Sequence, residues 1–169
     1  LGENLLPSSH IPTSANLVRV HRGKPGEDYA RVYFHQDKPR KYLAPYDYDL
    51  LRGFCRDGDA IREIELCRSD LSLPEQVIVM DTPGIDSADD AHRKSTEEAL
   101  HLADIIFYVM DYNHVQAELN LSFTRDLTQA GKVVYLVVNQ IDKHVASELS
   151  FDSFCQGVRE AFLNWGVQP

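Results

Sequence analysis

The most informative part of the sequence is Val77-Ile78-Val79-Met80-Asp81-Thr82-Pro83-Gly84. A second stretch of the same design runs Val133-Val134-Tyr135-Leu136-Val137-Val138-Asn139-Gln140-Ile141-Asp142. Each is an apolar run that ends in a short polar loop, which predicts a buried parallel strand followed by a loop. Ligands of open α/β sheets bind beyond the carboxyl ends of the strands. We therefore expect four side chains or backbone groups on one rim of one sheet: Asp81, Gly84, Asn139 and Asp142.

The residue types in these two loops suit a nucleoside triphosphate that carries guanine. Asp81 can hold Mg²⁺ through a water, because this cation takes oxygen ligands and keeps several waters. Gly84 has no side chain, so its backbone N–H can approach a terminal phosphate. Asp142 can accept hydrogen bonds from N1–H and the exocyclic amine of guanine, a donor pair that adenine lacks, while Asn139 can brace the loop and reach the purine edge. Asp-x-x-Gly followed by Asn-x-x-Asp is typical of a GTP-binding domain; the alternative is two ordinary turn-forming loops in an α/β domain.

Composition sets limits on the class of protein. The chain of 169 residues is long enough for one domain with a real core, and its 43% hydrophobic and 25% charged residues are ordinary for a globular protein. No apolar run approaches membrane-spanning length, and no signal peptide is visible at the start. The three cysteines are far apart in sequence, which predicts free thiols in a reducing cytosol. The seven histidines are scattered without zinc-ligand spacing.

Charge is negative overall but unevenly distributed. The net charge of −9 argues against a nucleic-acid partner. Residues 19–41 nevertheless hold seven Lys or Arg against three Asp or Glu. This basic stretch could face phosphates or an acidic partner. The alternative is a solvated hairpin whose Lys and Arg residues protect an edge strand.

Hydrophobic periodicity predicts an α/β fold with a mostly parallel sheet. Strands are expected at 16–22, 29–35, 61–67, 77–81, 105–110 and 133–138. Helices are expected at 47–56, 91–103, 116–128 and 151–165. The first two strands are expected to form a hairpin around the turn cluster Gly23-Lys24-Pro25-Gly26.

Three motifs in this order resemble the dynamin-like large GTPases, especially the bacterial ones. They are Ile11-Pro12-Thr13-Ser14, Asp81-Thr82-Pro83-Gly84 and Asn139-Gln140-Ile141-Asp142-Lys143. The resemblance covers essentially the whole chain and implies that residues 1–169 are a single, partial GTPase domain. It implies a three-layer, P-loop-GTPase-like α/β fold with helices on both faces of the sheet. It further implies a cytoplasmic protein that dimerises through its nucleotide face or by strand exchange, and that remodels or tethers membranes as a peripheral protein through parts outside this chain.

The resemblance also implies a role for each matching residue, with GTP as substrate and Mg²⁺ as cofactor. Thr13 matches the switch threonine that closes over Mg²⁺ and the terminal phosphate, although by itself it could equally be a turn or cap hydroxyl. Asp81 matches the carboxylate that reaches Mg²⁺ through water, and Gly84 the phosphate-sensing glycine. Asn139 and Asp142 match the guanine-reading pair, with Lys143 beside them in the nucleotide-binding loop.

The chain departs from the usual GTPase pattern in three respects. Gln140 stands where a lysine usually packs on the base, which could weaken affinity without changing base choice. Ile85 follows the glycine where small GTPases place a water-orienting Gln, and dynamin-like proteins lack that Gln as well. No Gly-x-x-x-x-Gly-Lys-Ser/Thr phosphate loop occurs in the 169 residues. We therefore expect a piece of a working GTPase that begins past its first strand and phosphate loop and is inactive alone; the alternative is a GTPase-like scaffold without nucleotide turnover.

The missing first strand has a consequence for the sheet. In the GTPase fold it lies between the strands predicted at 77–81 and 105–110. Open edges on both would be costly, because unpaired, dry backbone groups cost about 1–3 kcal/mol each. We expect the two strands either to pair directly or to be bridged by another chain segment, most simply in a dimer.

Overall fold

The structure, a computed structural model, describes residues 16–84 and 90–168, with the backbone alone described over 90–95. Its contacts divide the chain into two compact units, Leu1–Leu102 and Ala103–Pro169. Each unit has its own sheet and its own hydrophobic core.

The first unit is built on a five-stranded sheet with the strand order β3-β2-β4-β1-β5. The strands are β1 (Leu17–Arg22), β2 (Tyr29–Phe34), β3 (Arg40–Leu43), β4 (Ile61–Arg68) and β5 (Ile78–Asp81). Two helices accompany them, α1 (Tyr48–Arg56) and α2 (Asp90–Leu102). Helix α1 begins after Asp47, whose side chain accepts hydrogen bonds from the backbone N–H groups of Asp49 and Leu50.

The predicted hairpin between β1 and β2 is wrong, because β4 lies between them. Val18 and Val32 are both paired with Ile64, from opposite sides. Val20 and Ala30 flank Leu66 in the same way, so the three strands share one apolar layer (Leu66 is the central residue). The hairpin partner of β2 is instead β3, a short, charged strand that periodicity did not predict.

The prediction of a mostly parallel sheet is also wrong, since the sheet is mixed. Among the described strands, β1 pairs with β4 in parallel, while the β1–β5, β2–β3 and β2–β4 pairings are antiparallel. A second parallel pair, β6 (Ile105–Asp111) with β7 (Val133–Asn139), forms a separate sheet. Short connections explain part of this, because a parallel pairing needs a crossover of a dozen or more residues. The five residues between β2 and β3 allow only an antiparallel return.

The core of the first unit lies between one face of the sheet and α1. Leu51 and Cys55 of α1 pack there with the apolar side chains of the sheet. Asn16, which is 1% exposed, fastens the end of this helix: its Nδ2 donates to the backbone oxygens of Phe54 at 2.8 Å and Asp57 at 3.1 Å. A buried amide that finds backbone partners fixes the chain just before β1.

The opposite face of the sheet is polar and accounts for much of the basic stretch. Arg19 pairs with Glu63 at 3.1 Å, and Arg31 pairs with Glu65 at 3.0 Å. Arg40 and Lys41 lie exposed on β3, which is an edge strand. These positions support the interpretation that the basic residues are compensated within the sheet or protect its edge.

The second unit has a two-stranded parallel sheet of β6 (Ile105–Asp111) and β7 (Val133–Asn139). Helices α3 (Glu118–Gln129) and α4 (Phe151–Asn164) follow the strands, and a short 3-10 helix spans Ile141–Lys143. The core joins one face of the sheet to the helices through buried side chains of Met110, Val115, Leu121, Phe162 and Val167. Within the described ranges, no helix combines the length and the apolar character needed to span a membrane.

The strands predicted to be buried on both faces are partly exposed. In β5, Ile78 is 55% exposed, Val79 is 37% exposed and no residue of the strand is buried. In β6, Phe107 is 67% exposed, whereas Met110 is buried. Every second residue of β7 is exposed in the same manner. In the second unit, β6 and β7 therefore contribute one face of their sheet to the core, and the helices of this unit cover that face.

The direct pairing expected between β5 and β6 does not occur. Strand β5 belongs to the five-stranded sheet, where β1 is its hydrogen-bonded neighbour, and β6 belongs to the two-stranded sheet. Within its own unit β5 is paired with β1, in antiparallel register. The alternative, in which a segment of another chain pairs with these strands, stays a prediction.

Candidate functional site

The first predicted loop is fixed to helix α2 by a buried hydroxyl. The Oγ1 atom of Thr96 donates to the backbone oxygen of Pro83 at 3.2 Å, and Thr96 is 4% exposed. Pro83 is buried and Gly84 is exposed. The loop that follows β5 thus has one anchored residue directly before the glycine that is predicted to approach a phosphate.

Asp81 ends β5 and lies where its charge acts on α1. Burial, together with the negative charge of Asp81, raises the pKa of the Cys55 thiol to about 11. The carboxylate supplies the hard oxygen that Mg²⁺ prefers, and this cation is held by one or two carboxylates with substrate phosphates supplying further oxygens. The donor chemistry of Asp81 therefore fits the predicted magnesium site. Thr13, the other predicted metal ligand, lies outside the described residues.

The second predicted loop closes on itself directly after β7. The Oδ1 atom of Asn139 accepts a hydrogen bond from the backbone N–H of Gln140 at 2.9 Å, which is the bracing contact expected of this side chain. Gln140 has a left-handed backbone (φ 60°, ψ 37°), a conformation that residues other than glycine seldom adopt. The backbone N–H of Lys143 donates back to the oxygen of Gln140 at 3.1 Å, so residues 139–143 form one tight turn.

The end of β6 holds this turn from the side. The Nζ atom of Lys143 donates to Oδ2 of Asp111 at 3.1 Å. The next residue, Tyr112, donates its backbone N–H to the oxygen of Asn139 at 3.0 Å. A hydrogen bond from the backbone N–H of Asn113, followed by the ammonium of Lys143, lowers the pKa of the Asp111 carboxyl. Asp111 is therefore an anion at neutral pH.

A cluster of rings packs behind the turn. The Tyr112 hydroxyl and Nδ1 of His144 are 2.7 Å apart. The ring centroid of Tyr112 is 4.5 Å from that of Phe154, and His144 meets Phe151 edge-on at 5.4 Å. Helix α4 thus supports the residue that follows Lys143.

Asn139, Asp142 and Lys143 are brought together in the second unit, whereas Asp81 and Gly84 belong to the first. The prediction of one shared sheet is wrong, because β5 and β7 belong to different sheets. The sequence reasoning did not identify the supporting residues, namely Thr96, Asp111, Tyr112 and His144. Only Asp111 carried a usable signal, since it is a carboxylate at the end of a predicted strand.

The architecture and the two loops define an α/β protein with polar loops at its strand ends. The chain belongs to the dynamin family, whose model matches residues 1–142. It is 40% identical over 167 residues to Dynamin-like protein A of Bacillus subtilis (strain 168). That alignment covers 99% of this chain but 14% of the relative, so the chain spans a small part of that protein.

Two further proteins are similar to this chain. Over 91 residues, 52% of this chain and 20% of the relative, the chain is 32% identical to the GTPase Der of Nautilia profundicola (strain ATCC BAA-1463 / DSM 18972 / AmH). A solved structure described as an oligomerised bacterial dynamin pair for long-range sensing and tethering of membranes matches with a TM-score of 0.71 at 18% identity. It covers 96% of this chain and 32% of the other, and the likeness establishes the fold.

Proposed function

We propose that this chain forms the guanine-nucleotide site of a dynamin-like GTPase that binds and hydrolyses GTP. The observation that carries the proposal is the braced turn at residues 139–143, which presents the exposed carboxylate of Asp142 directly after a strand. Ligands of α/β sheets bind at such strand ends. In the proposed site Asp142 reads the base, Asn139 shapes the turn, and Lys143 belongs to the same nucleotide-binding loop.

Roles toward the phosphates are proposed for residues of the first unit and for Thr13. Asp81 would hold Mg²⁺ through water, and Thr13 would contribute a hydroxyl ligand and close over the terminal phosphate. The bound cation would neutralise charge that develops on the phosphates. Gly84 would sense the terminal phosphate through its backbone N–H, and the contact from Thr96 to Pro83 keeps the preceding residue in place. No phosphate loop motif occurs in these 169 residues, so we propose turnover for the longer protein and negligible hydrolysis for this chain alone.

The partners follow from the family. We propose a homodimer through the nucleotide face or by strand exchange, in a cytoplasmic protein that contacts membranes through parts outside this chain. The support is that one structural relative is described as an oligomerised pair that senses and tethers membranes. The second candidate function is a GTPase-like scaffold without turnover, which the absent phosphate loop motif would favour.

Asp142→Asn in the full-length protein tests the base-reading role. The carboxylate accepts two hydrogen bonds from guanine, and the amide replaces part of that acceptor with a donor. We expect the affinity for GTP to fall by about 1.5–3 kcal/mol and the affinity for xanthosine triphosphate to rise, as measured by calorimetry. Asp126→Asn, which changes an exposed carboxylate on α3, is the matched control.

Unchanged GTP affinity in the Asp142 variant would remove this residue from the base pocket. Phosphate release with GTP and Mg²⁺, measured on the same proteins, separates the two candidate functions. Tight GTP binding by the wild-type protein without any turnover would favour the scaffold.

A further inference from the structure

Two consecutive residues at the end of β6 contact both ends of the turn that carries Asp142. Asp111 holds the side chain of Lys143, which directly follows Asp142. Tyr112 holds Asn139 through its backbone N–H and His144 through its hydroxyl. Neither residue belongs to the motifs that define the predicted nucleotide site.

We propose that Asp111 and Tyr112 are positioning residues that set the guanine specificity of the 139–143 turn. The proposal rests on the proposed function, because it assigns a role in base recognition. Neither residue has to touch the nucleotide for this role. Each acts through Lys143 or His144 on the placement of the Asp142 carboxylate.

Asp142 needs such support because its own side chain is not held. It is exposed, and its carboxylate makes no hydrogen bond to another described residue. Its position is therefore set by the backbone of the turn. That backbone includes the left-handed residue Gln140, whose conformation persists only where the surroundings enforce it.

The contact between Tyr112 and His144 is the more enclosed of the two. The Nε2 atom of His144 is buried and has no hydrogen-bond partner among the described residues, while its Nδ1 lies 2.7 Å from the Tyr112 hydroxyl. This hydroxyl is thus the polar partner that the structure gives to the ring. Because Phe151 and Phe154 surround the imidazole, removal of the hydroxyl would leave both ring nitrogens of His144 without a partner in this part of the chain.

The contact between Asp111 and Lys143 is more exposed. The two side chains are 27% and 43% accessible, so solvent screens their attraction. The contact instead fixes the direction of the Lys143 side chain. The ammonium is held near the end of β6, and this restrains the backbone of the turn. Loss of this contact should alter the turn without unfolding the unit.

The test compares GDP with IDP in the full-length protein, using Tyr112→Phe and Asp111→Asn. IDP lacks the exocyclic amine, so it can form only one of the two hydrogen bonds that Asp142 offers to guanine. A displaced Asp142 carboxylate should therefore lower the affinity for GDP more than the affinity for IDP. We expect each variant to lose about tenfold in GDP affinity and about threefold in IDP affinity, so that the preference for GDP falls about threefold.

Two variants control for the chemical changes alone. Tyr135→Phe removes the hydroxyl of an exposed tyrosine on β7, and Asp126→Asn removes an exposed carboxylate on α3. Both should leave the ratio of GDP to IDP affinity unchanged. Thermal unfolding midpoints of all variants report stability separately from the ratio.

The outcomes distinguish this proposal from the proposed function. If Asp142→Asn abolishes the preference for GDP while Tyr112→Phe and Asp111→Asn leave it intact, the positioning role is overturned and the guanine site stands. The same conclusion holds if both variants only lower the unfolding midpoint. If the wild-type protein does not distinguish GDP from IDP and Asp142→Asn changes nothing, the guanine site itself is rejected.

Discussion

Glu65, in the middle of β4, is contacted by polar side chains of the two neighbouring strands, β1 and β2. The hydroxyls of Tyr29 and Tyr33 donate to its carboxylate at 2.7 and 2.8 Å. Arg31 donates at 3.0 Å, and Nε2 of His21 lies 3.1 Å away. This carboxylate joins β1, β2 and β4 on the polar face of the sheet, opposite the apolar layer around Leu66.

The surroundings of Glu65 also decide its titration. Burial alone would raise the pKa of this carboxyl, but the hydrogen bonds from Tyr29, Tyr33 and His21, together with the charge of Arg31, outweigh burial and lower the pKa. A carboxyl whose pKa is lower in the folded state stabilises the fold above its unfolded pKa of about 4.3. That stabilisation is lost as the pH falls through the folded-state pKa.

Glu65→Gln should lower the free energy of unfolding by about 2–4 kcal/mol at pH 7, because four polar side chains lose a charged partner. The deficit relative to wild type should shrink as the pH falls below about 4.3, since the wild-type carboxyl then becomes neutral as well. Urea unfolding at several pH values measures both effects. Glu160→Gln, an exposed change on α4, should stay within about 0.5 kcal/mol at each pH. A deficit that is constant with pH would show that the charge of Glu65 is not what stabilises the fold.

At the scale of the elements, two glycines differ in the space that a side chain would have at their positions. A Cβ atom at Gly23, which follows β1, would lie 2.5 Å from Sγ of Cys67 and 2.6 Å from the backbone oxygen of Glu27. The turn between β1 and β2 thus passes too close to β4 for any side chain at this position. Gly53, inside α1, has open space around it.

Alanine at these two positions should change stability in opposite directions. Gly23→Ala should destabilise the first unit by about 1–3 kcal/mol, because the backbone oxygen of Glu27 has to move. Gly53→Ala should stabilise it by about 0.5–1 kcal/mol, because alanine favours a helix interior. Chemical unfolding of both variants side by side is the measurement. Equal effects of the same sign would contradict the close approach at Gly23.

At the scale of the whole molecule, the second unit exposes one apolar face of its sheet. The side chains on this face are 37–67% accessible and come alternately from both strands: Ile105, Phe107, Val109, Val133, Tyr135 and Val137. The rings of Phe107 and Tyr135 stack at 5.4 Å across the strands. A contiguous apolar patch of this kind is a site of association or aggregation.

The 169-residue chain by itself should therefore bind an apolar dye and self-associate, as seen by dye fluorescence and light scattering. Phe107→Lys places a charge in the middle of the patch and should reduce both signals. Leu163→Lys makes a comparable change at an exposed position of α4 and should leave them unchanged. Equal signals from the wild-type chain and the Phe107 variant would mean that this face does not drive association.

Most of the local structure could be predicted from the amino-acid sequence. Periodicity located every predicted helix and strand to within a few residues, because the spacing of apolar side chains reflects the local backbone repeat. The order of the motifs also placed the chain in the dynamin family, which the family model confirms. The bracing contact of Asn139 could be anticipated as well, since it involves the next residue in the chain.

Which strands are neighbours and which of their faces are covered could not be predicted from the sequence. Val18 and Val32 are apolar in patterns that would suit a hairpin equally well, and only the insertion of β4 between them separates the two arrangements. The half-exposed strands and the contacts from Tyr112 to Asn139 and His144 likewise depend on residues distant in sequence. Periodicity indicates which residues of a segment avoid water. Strand pairing and loop support depend instead on backbone hydrogen bonds and side-chain packing between segments that are distant in sequence, and the periodicity of one segment does not specify its partner.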